Sequence, residues 1–358
     1  MKKRKVISVW GRFFVMAMLA FALLMSSMAN EAAAADKVFN WRCPTVYTSV
    51  MPDYQELLRM AENLKQMSGG RLVIKMFPSG ALIPGKDVYD AVKAGTVEMG
   101  SGWPNWWIGK NPAWNLLNDQ PFGFRRKEAF LMWYWHEGGM KFANELANPD
   151  NIKWVPGIFT GVQTGAFCRT PIHSLAEAKG KKIRIGPGLH MAVLKKHGIS
   201  TVSLAPEETY QALERGVIDM TEWLTPATDY PLKFHEVAKY ILAPAWWQPT
   251  GLSDFLINMK MYNKLPKDLQ AMLDTAMRDT SHYGAFLLKN LDRQYMEKFV
   301  EAGCKISKWP KKDLEVLEKD TLQIMNEYAG KYPLFKKIWE SQKQYRRKYY
   351  QYEEWTTF

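Results

Sequence analysis

Two hydrophobic periods alternate along most of the chain. Short apolar runs of the kind that form buried strands are separated by stretches in which apolar residues recur every three or four positions, the spacing of an amphipathic helix. The first third predicts a strand over 38–45, a helix over 52–67, a strand over 71–77, a helix over 87–94 and a strand over 97–100. Strands and helices in this order predict an α/β fold with a parallel sheet.

An eleven-residue pattern occurs twice and predicts two similarly built halves. Residues 89–99 (YDAVKAGTVEM) and 210–220 (YQALERGVIDM) share tyrosine, alanine, glycine, an acidic residue and methionine at matching positions, with an offset of 121 residues. In each copy we expect a short helix to end at the glycine in the left-handed conformation, with a buried strand directly after it. Chance similarity is the alternative.

The same alternation continues to about residue 258, and long helices follow. Further strands are predicted over 154–160, 165–169, 182–185, 200–204, 239–242, 255–258 and 305–307, and further helices over 127–135, 175–178, 191–196, 206–215 and 311–328. A long helix over 269–296 is able to run along both halves. A final helix over 335–355 carries an aromatic face, which packs either on its own body or on a second subunit.

The first 35 residues have the features of a secretory signal peptide. Basic residues precede an apolar run over 13–25, and a small-residue stretch ends at Ala35, near which we expect cleavage. The apolar run is shorter than the roughly 20 residues that a spanning helix needs, and an uncleaved anchor is the alternative. This segment carries five basic residues and one acidic residue, so its removal lowers the formal net charge from +12 to +8.

The charge distribution, the motifs and the cysteines argue against several classes of function but do not assign one. Apart from Arg346, Arg347 and Lys348 near the C-terminus, the basic residues are dispersed, which argues against a nucleic-acid surface and favours anionic solutes. The six histidines show no HExxH spacing, and GxSxG, Walker-type and GxGxxG motifs are absent, so no signal of catalysis stands out. Cys43, Cys168 and Cys304 lack CxxC spacing; one disulfide and three buried thiols are both open.

Three polar side chains indicate a site for an anion and a cation. Glu222 lies beside Trp223 directly after an apolar run, Gln163 precedes them in the chain, and Arg184 lies in a predicted strand. A guanidinium binds a carboxylate through two parallel hydrogen bonds, and carboxylate and amide oxygens suit hard cations rather than zinc. A surface ion pair for Arg184 and a solvated acid for Glu222 are the alternatives.

Several short segments together carry a family likeness. They are residues 80–85, 94–99, 121–123, 180–184, 206–216 and 219–223. Through them the chain resembles, along nearly its full length after the leader, the periplasmic solute receptors of tripartite ATP-independent (TRAP) transporters. The resemblance implies an α/β, two-lobed periplasmic binding protein fold with crossing hinge strands, a long lobe-spanning helix and an extended C-terminal helix. The implied divisions are a signal peptide over 1–35, lobe I over 36–158 and 251–288, lobe II over 159–250 and 289–332, and a C-terminal dimerisation helix over 333–358.

Within that family the chain is similar to the branch that binds 2-oxo or 2-hydroxy monocarboxylates, such as pyruvate or lactate, with a metal ion. By this resemblance Arg184 grips the ligand carboxylate, while Gln163, Glu222 and the Trp223 carbonyl hold Na⁺ or Ca²⁺ together with the ligand. The further ligand contacts that it implies are Gln248, Trp106, Trp107 and Arg169. Gln248 stands where an acidic residue can occur in relatives.

The implied function is capture and not catalysis. The resemblance describes a periplasmic receptor that delivers a small organic acid anion to membrane permease subunits and forms a homodimer through its C-terminal helix. A periplasmic metal-dependent enzyme with Glu222 as base, and a ligand-sensing subunit, are the alternatives.

Overall fold

The computed structural model describes residues 37–204 and 206–357. The predicted signal peptide and its cleavage point lie outside the described residues. The strands are β1 (Phe39–Pro44), β2 (Leu72–Phe77), β3 (Met99–Gly102), β4 (Ile152–Thr160), β5 (Ala166–Cys168), β6 (Lys182–Arg184), β7 (Ser200–Val202), β8 (Met220–Thr221), β9 (Tyr240–Ala243), β10 (Gly251–Asn258) and β11 (Lys305–Lys308). The α-helices are α1 (Pro52–Met67), α2 (Val88–Ala94), α3 (Lys127–His136), α4 (Gly139–Ala147), α5 (Leu175–Ala178), α6 (His190–Lys196), α7 (Pro206–Glu214), α8 (Pro226–Asp229), α9 (Phe234–Val237), α10 (Met259–Asn263), α11 (Lys267–Glu301), α12 (Lys311–Lys331) and α13 (Pro333–Thr356).

The described strands form two groups, one in each lobe. In the first lobe β1 pairs with β2, and β10 lies between β3 and β4; a bridge from Thr45 to Ser101 links the two sheets. In the second lobe six strands pair in the order β11-β9-β5-β8-β6-β7. The two-lobed α/β prediction is confirmed.

The prediction of a parallel sheet is only partly right. The β1–β2, β6–β7, β6–β8 and β9–β11 pairs are parallel. In contrast, β10 runs antiparallel to β3 and β4, and β5 runs antiparallel to β8 and β9. The cause is the crossing of the chain between lobes, since β10 returns from the second lobe and enters the first sheet against the direction of its neighbours.

The repeated eleven-residue pattern builds the same turn twice. Gly95 and Gly216 both adopt the left-handed conformation, with φ of 75° and 74°. The strand that follows starts later than predicted, at Met99 in the first copy and Met220 in the second. Val217, which was expected in a buried strand, is 58% exposed. The repeat therefore correctly located two helix–glycine–strand turns, although it placed the strands too early.

Helix α11 spans 35 residues and joins the two lobes. It packs on β4 and α1 of the first lobe and on α8 of the second. No helix among the described residues is long and apolar enough to cross a membrane. Of the two alternatives for the cysteines, all three thiols are free and buried.

The C-terminal helix α13 packs on its own body over its first half. Its buried residues are Phe335, Ile338, Trp339 and Gln342. The Gln342 Nε2 atom donates to the Leu116 carbonyl at 2.5 Å, and Trp133 Nε1 donates to Ser341 Oγ at 3.1 Å. The end of the helix is different, because Trp355 is 73% exposed.

Candidate functional site

A small cavity of about 50 Å³ brings most of the predicted site residues together. Its walls include Gln163, Arg184, Glu222, Trp223 and Gln248, all of them predicted, and also Trp106. Apart from Trp106, which lies in the turn after β3, these side chains come from the ends of β6 and β8 and from the two segments that cross between the lobes, 161–165 and 244–250. The site therefore lies where the carboxyl ends of parallel strands meet the hinge, the usual place for ligands in such sheets.

The pairing of β6 with β8 places Arg184 beside Glu222. Arg184 ends β6 opposite Thr221, so the next residue, Glu222, emerges at the same edge, and its N–H donates to the Arg184 carbonyl at 3.1 Å. The guanidinium Nη1 donates to Glu222 Oε1 at 2.9 Å and to the Glu222 carbonyl at 2.8 Å. Both side chains are 3% exposed, so neither alternative of a surface ion pair or a solvated acid holds.

Other contacts fix the orientation of both charges. The Arg184 Nε atom donates to the Leu204 carbonyl at 3.1 Å, and its guanidinium lies 4.2 Å from the centre of the Trp223 ring. The Gly186 N–H donates to Glu222 Oε1 at 2.7 Å. Burial raises the pKa of Glu222, while the Arg184 charge and the hydrogen bonds from Gly186 and Gln163 oppose that shift. Burial likewise lowers the pKa of Arg184. The pair is thus rigid and mutually compensated.

Three oxygens converge on one atom of Gln163. Its Nε2 atom donates to Glu222 Oε2 at 2.6 Å, to the Trp223 carbonyl at 2.8 Å and to Gln248 Oε1 at 2.8 Å. Its Oε1 atom accepts a hydrogen bond from Trp247 Nε1. A carboxylate, a backbone carbonyl and an amide oxygen around one point are the donor set that Na⁺ and Ca²⁺ prefer. The residues present therefore fit a hard cation.

No group of three or more His, Cys, Asp or Glu that could hold a metal ion occurs within the described residues. This agrees with a set in which only Glu222 is ionised and the other oxygens are neutral. The set consists of oxygens alone, and most of them are carbonyl and amide oxygens, so a group of His, Cys, Asp and Glu side chains is not needed to form it.

Two of the predicted ligand contacts do not line the cavity. Trp107 is fully buried in the first lobe, where its Nε1 atom donates to Asp254 Oδ2 at 2.8 Å. The loop forms a tight helical turn over Pro104–Trp107, so successive tryptophans face different sides: Trp106 borders the cavity and Trp107 enters the core. Arg169 is exposed beyond the end of β5, and its guanidinium lies against Gly216, away from the cavity.

Six residues that border the cavity were not among the predicted ligand contacts: Val46, Tyr47, Trp103, Asp119, Gly186 and Leu224. Asp119 is 5% exposed, and its pKa is raised well above the ordinary value by burial and then by the nearby charge of Glu222. Its Oδ1 atom, like Tyr47 Oη and Gln248 Nε2, has no hydrogen-bond partner among the described residues. In the sequence Asp119 belongs to the polar triplet 118–120 after an apolar run, and this local pattern alone does not place it in the cavity.

An oxygen set that fits a hard cation lies beside a compensated arginine, in a cavity between the two lobes, and this arrangement is typical of a solute-binding protein. The comparison with protein families agrees: residues 45–331 match the bacterial extracellular solute-binding protein family 7, DctP, and the chain belongs to that family. It is a receptor of the TRAP type.

Known relatives agree with the fold along nearly the whole chain. A monocarboxylate 2-oxoacid-binding periplasmic protein from Nostoc is 30% identical over 349 residues, which cover 97% of this chain and 94% of that protein. A TRAP solute-binding protein from Pseudoalteromonas atlantica, solved with bound sodium and pyruvate, superposes with a TM-score of 0.84 at 29% identity over 89% of this chain and 97% of its own. A TRAP solute-binding protein from Bordetella bronchiseptica, solved as a dimer with copurified calcium and picolinate, superposes with a TM-score of 0.85 at 29% identity. The superposition covers 89% of this chain and 95% of that protein.

Proposed function

We propose that this chain is a periplasmic receptor that binds a small 2-oxo or 2-hydroxy monocarboxylate, such as pyruvate or lactate, together with Na⁺ or Ca²⁺ and delivers it to a membrane permease. The observation that carries the proposal is the convergence of Arg184, Glu222 and Gln163 on one buried cavity. A volume of about 50 Å³ suits a ligand of few atoms. The relatives that hold a small acid beside calcium or sodium support it.

Arg184 takes the carboxylate of the ligand. Its hydrogen bonds to Leu204 and Glu222 use Nε and Nη1, which leaves Nη2 for a ligand in the cavity. Because the guanidinium is already held against the Trp223 ring, little side-chain freedom is lost when the ligand binds.

A cation would be held by Glu222 Oε2, the Trp223 carbonyl and the Gln248 amide oxygen, which surround the point that Gln163 Nε2 occupies in this structure. Gln163 would join the set through its own amide oxygen, which here accepts from Trp247 Nε1, after its amide group turns over. When bound, the cation supplies a positive charge that offsets the cost of bringing a second carboxylate beside Glu222 in a dry cavity.

We further propose that the protein makes and breaks no bond in its ligand. A general base needs an oxygen free to take a proton. Glu222 Oε1 already accepts hydrogen bonds from Arg184 and Gly186, and Oε2 accepts one from Gln163. Conversion of pyruvate or lactate by the purified protein would overturn this part of the proposal.

In this proposal the leader over 1–35 directs export and is cleaved near Ala35. Lobe I comprises 36–158 and 251–288, and lobe II comprises 159–250 and 289–332. A homodimer forms through 333–358, an assembly supported by the exposed Tyr352 and Trp355 at the end of α13, which are 58% and 73% accessible. Sedimentation of a Tyr352→Ser/Trp355→Ser variant should show a lower mass than that of the unaltered chain; equal masses would reject a dimer of this kind.

Calorimetry on metal-stripped protein tests the central claim. Pyruvate or lactate should bind with added Na⁺ or Ca²⁺ and at least roughly tenfold more weakly without either. Lactamide, which lacks the carboxylate, should not bind. Failure of a panel of small 2-oxo and 2-hydroxy acids to bind with either cation would overturn the proposal.

A further inference from the structure

A second cavity of about 810 Å³ lies outside the ligand cavity, on the surface where α12 and α13 meet the hinge. We call it the basic groove. Its charged wall residues are Arg125, Lys311, Lys343, Arg346, Arg347 and two carboxylates, Glu315 and Glu318. A further cavity of about 480 Å³ continues from it across the hinge and shares Arg125 and Val162 with it. The surface is therefore long, and its charge is predominantly positive.

Most of the positive charges in the basic groove are unpaired. Within the described residues, Arg125, Lys343, Arg346 and Arg347 form no salt bridge with a carboxylate. Only Lys311 has such a partner, Glu315 at 3.8 Å. Unpaired cations on one surface attract an anionic partner and speed its approach.

The buried polar atoms that lack partners here are donors. Arg346 Nε and Trp246 Nε1 are both buried without an acceptor among the described residues. Arg346 donates through Nη1 to the Phe122 carbonyl at 2.9 Å and lies between the rings of Phe124 and Trp339. Both residues line the groove, and carboxylates are the strongest acceptors for a guanidinium.

Aromatic side chains form part of the same wall. Phe122 stacks on Trp246 with ring centres 5.4 Å apart, and Tyr350 lies under Arg125 at 4.7 Å. A wall of rings and cations binds a chain segment in which acidic side chains alternate with apolar ones. The extent of the surface across two adjoining cavities also fits an extended segment better than a small acid.

The basic groove is connected to the ligand cavity through single residues of the hinge. Trp246 lines the groove, Trp247 donates to Gln163 and Gln248 lines the cavity. On the other crossing segment Val162 lines the groove and Gln163 the cavity. The two sites are thus one or two residues apart along the backbone of each crossing segment, which provides a short route for coupling between them.

We propose that the basic groove is the docking surface for an extended acidic segment of the receptor's membrane partner, and that its affinity depends on whether the ligand cavity is filled. The assignment of this segment to a membrane component rests on the proposed function. The recognition itself rests on the unpaired cations and donors of the groove.

A labelled peptide of alternating Glu and Phe, followed by fluorescence anisotropy on the full chain, tests the proposal. Lys343→Gln/Arg347→Gln removes two charges from the groove, and Lys337→Gln/Lys348→Gln removes two exposed charges from the same helix outside it. We expect the groove variant to bind the peptide roughly tenfold more weakly and the control variant to bind as the unaltered chain does. A peptide with Gln in place of Glu should not bind.

Several outcomes would overturn the proposal. Equal losses in the two variants, equal binding of the Gln peptide, or an affinity unchanged by saturating pyruvate with sodium would each do so. Loss of binding to vesicles rich in anionic phospholipid, with peptide binding intact, would assign the groove to lipid. A change of sedimenting mass confined to the groove variant would assign it to a second copy of the chain.

The ligand site is followed separately on the same samples. The groove variant should keep the thermal shift that pyruvate and sodium produce in the unaltered chain. If the unaltered chain shows no such shift but still binds the acidic peptide, the proposed function fails while the groove remains a binding surface for acidic segments.

Discussion

The ligand cavity and the basic groove are both lined by charged residues, but only the cavity balances its charges. Arg184 and Glu222 lie 2.9 Å apart with almost no exposure, whereas Lys343 and Arg347 of the groove are exposed and form no salt bridge within the described residues. A buried charge needs a partner of opposite charge, because an unpaired charge in a dry site costs roughly several kcal/mol of stability. Exposure removes that requirement, so a surface can keep unpaired charge and use it to attract another molecule. Four predictions test this contrast, in order of expected effect.

Arg184→Ala should have the largest effect, because it leaves Glu222 buried without its cation. We expect a loss of about 3–5 kcal/mol in the free energy of unfolding and no measurable pyruvate binding. Denaturant unfolding and calorimetry measure the two effects. Arg347→Ala, in the groove, is the matched control and should change stability by no more than about 0.5 kcal/mol. Similar losses in the two variants would show that burial does not separate the regions.

Asp53 tests the rule from the opposite side, because this buried carboxyl has no salt-bridge partner in the described part of the chain. It accepts a hydrogen bond from Thr228 Oγ1 at 2.6 Å, and burial raises its pKa to about 6. The folded state therefore favours the protonated form, and the contribution of Asp53 to stability falls as the pH rises from its ordinary pKa near 4 through about 6.

The expected size of this fall is about 3 kcal/mol, at about 1.4 kcal/mol for each pH unit between the two values. Asp53→Asn removes this titration. The unfolding free energy of the variant should therefore decline less than that of the unaltered chain between pH 4 and pH 6.5, and the difference between the two declines is the contribution of Asp53. Parallel pH profiles for the two proteins would contradict the assignment.

Glu222→Gln should reduce cation binding by roughly 10- to 100-fold, since it removes the only ionised oxygen of the set. The cation dependence of the pyruvate-induced thermal shift measures this change. Glu315→Gln, a carboxylate of the basic groove, is the control and should leave that dependence unaltered. A Glu222→Gln protein with full cation dependence would exclude Glu222 from the cation site.

The smallest expected effect on folding is that of Lys343→Gln/Arg347→Gln. Both side chains are exposed and have no carboxylate partner among the described residues, so the free energy of unfolding should change by no more than about 0.5 kcal/mol. Urea unfolding checks this value. A clear loss of stability would mean that these residues support the fold, and that the contrast between cavity and groove is not one of compensation.

Much of the fold could be predicted because the relevant signals are local. Apolar spacing located α1 at its observed bounds and β2 to within a residue. The glycines of the two eleven-residue copies marked helix ends, since φ near +75° favours glycine at each of them. Local signals also placed Arg184 and Glu222 at strand ends.

The rest of the site depended on contacts between distant segments. Asp119 belongs to the cavity only because its loop packs beside the crossing segments, and no local pattern separates it from other buried polar residues. Trp106 and Trp107 have the same local environment in the sequence, and the direction of one tight turn decided which of them borders the cavity. Likewise, the direction of β10 depends on the lobe from which the chain returns.

By itself the sequence determined which faces of each helix and strand are apolar, where these elements end, and which polar side chains lie at their ends. Only the tertiary structure decided that Gln163, Glu222, Trp223 and Gln248 direct their polar atoms to one point. It also decided that no described carboxylate forms a salt bridge with Lys343, Arg346 or Arg347 of α13. The physical reason is range. Periodicity reports the neighbours of a residue along its own element, whereas charge compensation is set by atoms that approach from other elements.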